Sequence, residues 1–235
     1  PIMEGKSSSD LFGGQSLGSA TLIEALRTAA EDDKVAAIVL RIDSPGGSAI
    51  ASDLIWRETV RIEKPIIASM GDVAGSGGYY IAMGADQILA EPGTITGSIG
   101  VVGGKFVLGG LYDKIGLKTE VISRGKNTGV FSSTEAFSEE QQKVMTNMLR
   151  EVYRQFITKA AKGRKMEVKK LDELAQGRLY TGRMAADVGL IDQLGTLADA
   201  IAAAKEAAGI ESEEQVDILM LPRPKTLFEQ IQTQY

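Results

Sequence analysis

Residues 35–42 read VAAIVLRI, an almost unbroken apolar run that stops abruptly at Asp43-Ser44-Pro45-Gly46-Gly47. With so little apolar/polar alternation, such a run predicts a strand buried on both faces, the kind found in parallel sheets. The unit then repeats. A helical stretch, Ala49–Ile62, leads to a second strand, Pro65–Met70, and a turn, Gly71–Gly75. A small-residue helix, Ser76–Gly84, and a short strand, Gln87–Ala90, follow. Strands alternating with helices are joined by right-handed crossovers into a parallel sheet. The expected class is α/β.

The flanks fit that scheme. Residues 5–19 are small and polar and read as a loop, after which Ser19 or Thr21 caps a helix with an apolar face of Leu22, Ile23, Leu26 and Ala30. Residues 91–110 are glycine-rich, with Thr94, Thr96 and Ser98 between apolar residues. Thr119–Ser123 reads as a further strand and Arg124–Thr134 as a loop. Ser138-Glu139-Glu140-Gln141 has the form of a capping box, in which a hydroxyl and an amide three residues on satisfy each other's free N–H groups. It opens a long helix carrying Val144, Met148, Val152 and Phe156 on one side. Helices around Met166–Ala175, Arg183–Val188 and Leu197–Ala208 make the C-terminal third helical, and Gln215–Leu221 reads as a last strand before an exposed tail. No repeat or long linker divides the chain. Residues 1–210 are expected to form one domain, and residues 211–235 a C-terminal strand and tail.

Composition removes more chemistry than it supplies. The 235 residues include neither histidine nor cysteine. Ser-His-Asp triads, Cys-His dyads, disulfides and His-ligated metals cannot be built from this chain alone. A hydrolase made from it needs Lys, Asp, Glu or a terminal amine as its base, and a carboxylate-only metal site stays open. The net charge of −5 argues against a dominant nucleic-acid surface. No apolar run approaches the roughly 18 residues of a membrane span. The chain starts Pro1-Ile2-Met3-Glu4, without initiator or signal segment, and reads as a piece of something longer.

Two glycine-rich turns are candidate sites: Asp43-Ser44-Pro45-Gly46-Gly47-Ser48 and Ala74-Gly75-Ser76-Gly77-Gly78-Tyr79-Tyr80. The second places a lone hydroxyl among residues without side chains, between a strand and a helix. That exposes the Ser76 oxygen and aims backbone N–H groups at whatever it attacks. It follows the logic of a nucleophile elbow without the G-x-S-x-G spacing. Close packing or phosphate binding would use such turns equally well, although neither the Walker A pattern nor the Rossmann fingerprint is present. Tyr79, Tyr80 and Trp56 read as packing residues, and Asp43 and Asp72 as turn residues. Lys162-Gly163-Arg164-Lys165 with Lys169 and Lys170 reads as one solvated basic face.

Five motifs in order narrow the choice. Ser-Pro-Gly-Gly at 44–47, Gly75-Ser76-Gly77-Gly78-Tyr79-Tyr80 and Thr96-Gly97-Ser98-Ile99-Gly100 are followed by Gly177-Arg178-Leu179-Tyr180-Thr181-Gly182 and Gly189-Leu190-Ile191-Asp192. Together, over about Ala20 to Ala208, they resemble the signal peptide peptidase A family of bacterial serine proteases, with the Clp protease/crotonase-like fold and its repeated ββα-type units. The resemblance implies a Ser/Lys mechanism without metal or cofactor. Ser76 would be the nucleophile, Ser98 the hydroxyl orienting the lysine, and the N–H groups of Gly77 and of the Gly46-Gly47 turn the oxyanion hole. It further implies membrane association on the extracytoplasmic side, through a segment outside this chain, and a ring-like homo-oligomer acting on extended apolar peptides such as cleaved signal peptides.

The lysine departs from the pattern. Single-domain members carry it in a G-x-x-K sequence, where this chain has Gly125-Lys126-Asn127-Thr128. Long members have two homologous halves, the N-terminal half bearing the lysine. The chain therefore reads as the C-terminal, serine-bearing half, incomplete by itself. Lys126 remains the in-chain candidate, since in an extended segment residues 126 and 128 face the same side about 6.6 Å apart. Ser123 and Lys126 also match S-x-x-K, but that chemistry needs a helical turn. Apolar residues near Ile99–Leu111 would line a substrate groove or pack between subunits. The rival readings are a crotonase-type acyl-CoA hydratase or thioesterase, and a non-catalytic assembly domain of the same fold.

Overall fold

A computed structural model describes residues 1–9, 15–122 and 124–223. They form two compact units, one of residues 1–99 with the described residues from 157 on, the other of residues 100–156.

In chain order the first unit begins with short strands β1 (Ile2–Met3), β2 (Ser8–Ser9) and β3 (Gln15–Gly18), the last two within residues 5–19, where the sequence suggested only a loop. They pair as β1-β3-β2. Helix α1 (Ser19–Glu31) follows without a side-chain cap, and buries Leu22, Ala25, Leu26 and Ala29. Of the two expected caps, Ser19 is the buried first residue of the helix and Thr21 Oγ1 accepts from the Ser7 amide; Gly18 is the N-cap, its amide donating to Ser7 Oγ. Then come β4 (Ile38–Ser44), α2 (Ala49–Thr59), β5 (Ile66–Gly75), α3 (Gly77–Ala82), β6 (Gln87–Ala90) and β7 (Ile95–Gly97).

The second unit holds α4 (Gly109–Lys114), a 3-10 turn at Thr128–Phe131 and most of α5 (Glu139–Gly163). The expected capping box opens α5: the Ser138 amide donates to Gln141 Oε1, and the Gln141 amide to Ser138 Oγ. Many apolar residues here face outward, including Val102 at 97% exposure, Phe106 at 87% and Ile122 at 92%. Residues 119–122 are not a strand, and Ser123 lies outside the described residues. The β-branched composition is present, but among the described residues no strand pairs with it.

Back in the first unit, the chain ends with α6 (Val168–Leu174), β8 (Leu179–Thr181), α7 (Gly182–Asp187), β9 (Gln193–Leu194) and α8 (Leu197–Ala207). Residues 215–221 are not a strand either, and Ile218 and Met220 are exposed. The tail from residue 224 lies outside the described residues.

The main sheet runs β8-β7-β5-β6-β9, with β4 on the other edge of β5. All its pairings are parallel except β7–β8. The alternation of strand and helix predicted this. Two details differ. β4 alternates, with Arg41 and Asp43 exposed, because one of its faces is uncovered there; β5 is the strand buried on both faces over Ile66–Gly71. The Gly71–Gly75 turn is also absent. After pairing Ile67–Met70 with β6, β5 continues and pairs Val73–Gly75 with β7. Gly71 serves close approach, since a Cβ there would lie 3.1 Å from the Asp43 Cβ. Ile67 and Leu89 pack beneath Ala200 and Ala204 of α8.

Candidate active site

Three strands of the main sheet end in phase, and their ends make the site. The parallel register sets Ser44 of β4 beside Ala74 of β5, and Gly75 beside Gly97 of β7. The residues after these positions, Gly46-Gly47, Ser76 and Ser98, must therefore emerge at one edge of the sheet. Ligand sites in parallel sheets form outside the carboxyl ends of the strands for this reason.

Ser76 is the N-cap of α3 with φ 51° and ψ −118°, and Ser98 has φ 49°. Positive φ is costly for a residue with a Cβ, about 1–3 kcal/mol each, and survives where surrounding contacts impose it. Here the imposing contacts are hydrogen bonds. The Ser76 amide donates to Gly97 O at 2.9 Å, and the Ser98 amide to Arg178 O at 2.7 Å. A Cβ on Gly75 would lie 3.5 Å from the Ser98 Cβ, so the two serine turns are in contact. Both serines are half-buried.

The Gly46-Gly47 turn closes against them. A Cβ on Gly46 would lie 2.9 Å from the Ser76 Cβ, and one on Gly77 would lie 3.2 Å from the Gly47 nitrogen. Five of the six sequence candidates, Ser76, Ser98, Gly46, Gly47 and Gly77, thus come together. One refinement is needed: the Gly46 amide donates to Ser44 Oγ at 3.1 Å and is spent there. The Gly47 and Gly77 amides have no acceptor among the described residues, and these two remain for a ligand oxygen.

Lys126 belongs to the 100–156 unit, where it is an exposed turn residue. The segment is not extended as the spacing suggested: Thr128 Oγ1 donates to Gly125 O at 3.0 Å and begins the 3-10 turn. The same-side geometry expected for 126 and 128 is therefore absent.

Several supporting residues had no sequence signal. Ile2, fully buried, brackets the glycine turn: its amide donates to Gly46 O, and the Ser48 amide donates to Ile2 O, both at 2.8 Å. Buried Ser52 donates to Ser48 O, and a Cβ on Gly77 would meet its oxygen at 2.5 Å. Asp53 of α2 receives hydrogen bonds from the Tyr80 hydroxyl, at 2.7 Å, and from Lys159. The Lys159 ammonium lies 4.4 Å from the Trp56 ring centre. This cluster joins α2 and α3, the helices that follow the two turns. Burial, and then the bond to Asp53, push the Tyr80 phenol far above its usual range. Burial does the same to Tyr79, whose hydroxyl donates to Leu190 O. The three aromatics pack as read: Tyr79 and Tyr80 are buried with their hydroxyls hydrogen-bonded, and Trp56 meets the Tyr80 ring edge-on.

The basic face needs one correction. Arg164 points inward, donating to Gly189 O and making a two-pronged pair with Asp192, which also accepts from the Ile88 amide. The Gly189–Asp192 motif is a structural tie. Among the described residues, no acidic cluster is arranged to hold a metal.

The sequence profile described as Peptidase family S49 matches residues 58–211. The chain is 47% identical over 216 residues to "Serine protease SPPA, chloroplastic" of Arabidopsis thaliana, covering 91% of this chain and 32% of the plant protein. It is 38% identical over 213 residues to "Protease 4" of Salmonella typhi, covering 89% of this chain and 34% of that protein. A Synechocystis protein is 37% identical over 206 residues, covering 86% of this chain and 74% of its own length. The chain thus spans about a third of the length of the plant and Salmonella proteins. Relatives in a plant as well as in bacteria mean that the resemblance does not carry a bacterial origin.

Proposed function

The chain belongs to peptidase family S49 and has its Clp protease/crotonase-like fold, and on that premise we propose that it is a serine endopeptidase domain with Ser76 as nucleophile. The observation that carries this is the Ser76 turn itself. Its strained backbone sets the Ser76 side chain against the Gly46-Gly47 turn, where the Gly47 and Gly77 amides have no acceptor among the described residues.

In this mechanism the Ser76 hydroxyl attacks the peptide carbonyl and hands its proton to a neutral lysine. The carbonyl oxygen becomes an oxyanion and accepts from the Gly47 and Gly77 amides. The lysine returns the proton to the departing amine, leaving an acyl-enzyme. The same lysine then deprotonates a water that hydrolyses the ester. For this the lysine must be desolvated, because its ordinary pKa of about 10.4 would keep it protonated at neutral pH. Ser98 orients it. The lysine comes from another domain, a reading supported by Thr128 standing where G-x-x-K would place it and by relatives about three times as long.

The substrates are extended, largely apolar peptides such as cleaved signal peptides. The exposed apolar residues of the 100–156 unit suit a groove for them or a contact between subunits of a homo-oligomer. No described helix is long and apolar enough to cross a membrane, and membrane association would come through a segment outside residues 1–235. A fluorophosphonate probe tests the proposal: it should label Ser76 when a lysine-bearing half is supplied, and apolar peptides should then be cleaved. Labelling absent, or confined to another residue, would reject it.

A further inference from the structure

The oxyanion-binding role assigned above to Gly47 depends on the direction of one N–H bond. That bond belongs to the peptide group joining Gly46 to Gly47, whose other end is the Gly46 carbonyl. Among the described residues only Leu221-Pro222 is cis, so this peptide is trans, and its C=O and N–H point in opposite directions. Whatever holds the carbonyl therefore aims the amide.

The glycines supply no such restraint themselves. Their φ values are 101° and 155°, and residues without a Cβ rotate through this region at little cost. Flipped, the peptide would present a carbonyl oxygen to the site in place of a donor, which would repel an oxyanion.

The restraint comes from β1, forty-four residues away in sequence. The Ile2 amide donates to Gly46 O at 2.8 Å, and Ile2 O accepts from the Ser48 amide at 2.8 Å. One residue thus grips the peptide groups on both sides of Gly47. The fit leaves no slack, since a Cβ on Gly47 would lie 2.1 Å from Ile2 O. Ile2 is itself fixed by complete burial of its side chain, and Ser48 Oγ donates to Glu4 Oε1 at 2.8 Å. We propose that Ile2 is a positioning residue of the site, whose backbone N–H holds the Gly46–Gly47 peptide with the Gly47 amide facing Ser76 and Gly77. This rests on the peptidase reading. It adds that withdrawing the Pro1–Glu4 segment would disable catalysis while leaving the serine in place.

Three substitutions separate the N–H from the side chain, each made in the enzyme assembled with its lysine source. Ile2→Pro removes the N–H. Ile2→Ala keeps it and loses packing. Ile2→Val keeps both. Losing one oxyanion donor lowers kcat by about 10²–10³-fold, and Ile2→Pro should fall in that range with KM little changed. Ile2→Ala should lose thermal stability yet keep kcat, and Ile2→Val should match the parent. A folded Ile2→Pro variant with parental kcat would overturn the proposal, as would equal kcat losses in Ile2→Pro and Ile2→Ala.

If the parent assembly hydrolyses nothing, the peptidase reading fails and the Gly47 amide resonance of the labelled chain decides the positioning role. A shift in Ile2→Pro but not in Ile2→Ala supports it, and no shift overturns it. Should Ile2→Pro not fold, hydrogen exchange in the parent decides. An Ile2 amide as protected as those of β5 supports the proposal, and a freely exchanging one overturns it.

Discussion

Gly46 and Gly77 touch backbone to backbone: a methyl group on Gly46 would lie 2.5 Å from the Gly77 amide nitrogen. The two residues lie thirty-one positions apart in sequence, and their contact brings the two candidate oxyanion donors to the same place. Replacing Gly46 by Ala forces these backbones apart. Overpacking of this kind costs about 1–3 kcal/mol, and kcat should fall by about 10²-fold or more as the hole opens. Urea denaturation and steady-state kinetics read the two effects. A stable Gly46→Ala variant with parental kcat would mean that the contact is irrelevant to the site.

Backbone strain at Ser76 gives a second expectation. Both Ser76→Ala and Ser76→Gly remove the proposed nucleophile and should abolish probe labelling. They should differ in stability, because only glycine is at ease at φ 51°. Offsetting the relief against the greater unfolded-state entropy of glycine leaves Ser76→Gly more stable than Ser76→Ala by about 1 kcal/mol. Equal stabilities would show that the turn is unstrained.

Lys126 is an exposed turn residue, so Lys126→Ala should leave hydrolysis by the assembled enzyme unchanged. A loss comparable to that of Ser76→Ala would instead make Lys126 the base.

The buried phenol of Tyr79 sets a limit at alkaline pH. Its folded pKa is raised by burial, whereas the unfolded phenol titrates near 10. The stability contributed by the neutral phenol is therefore complete below about pH 10 and is lost as pH rises above it, because the unfolded chain releases a proton that the folded chain keeps. Above that pH, stability should fall less steeply in Tyr79→Phe than in the parent, although the substitution forgoes the bond to Leu190 O. Denaturation midpoints across alkaline pH, with phenolate absorbance, measure this. Identical slopes would mean that Tyr79 ionises in the folded state.

Reading the sequence located the strand–helix alternation, the capping box at Ser138 and the two glycine turns, because each is written in neighbouring residues. Where it failed, the deciding partner was distant. Gly71–Gly75 has the composition of a turn and is a strand because β7 pairs with it. Thr119–Ile122 and Gln215–Leu221 have strand composition and are not strands because no described residue pairs with them. Arg164 reads as a surface charge and turns inward because Asp192 and Gly189 O receive it.

The same division runs through the site. Sequence alone determined which residues are candidates for the chemistry: a chain without histidine or cysteine, a serine flanked by glycines, and a second serine after Thr96-Gly97. These are properties of residue type and local spacing. Only the tertiary structure decided which amides can serve. Ser44 takes the Gly46 amide and Ile2 holds the Gly46 carbonyl, leaving Gly47 and Gly77 to face the site. An N–H bond points where its peptide plane is held, and here hydrogen bonds from other strands and turns hold that plane.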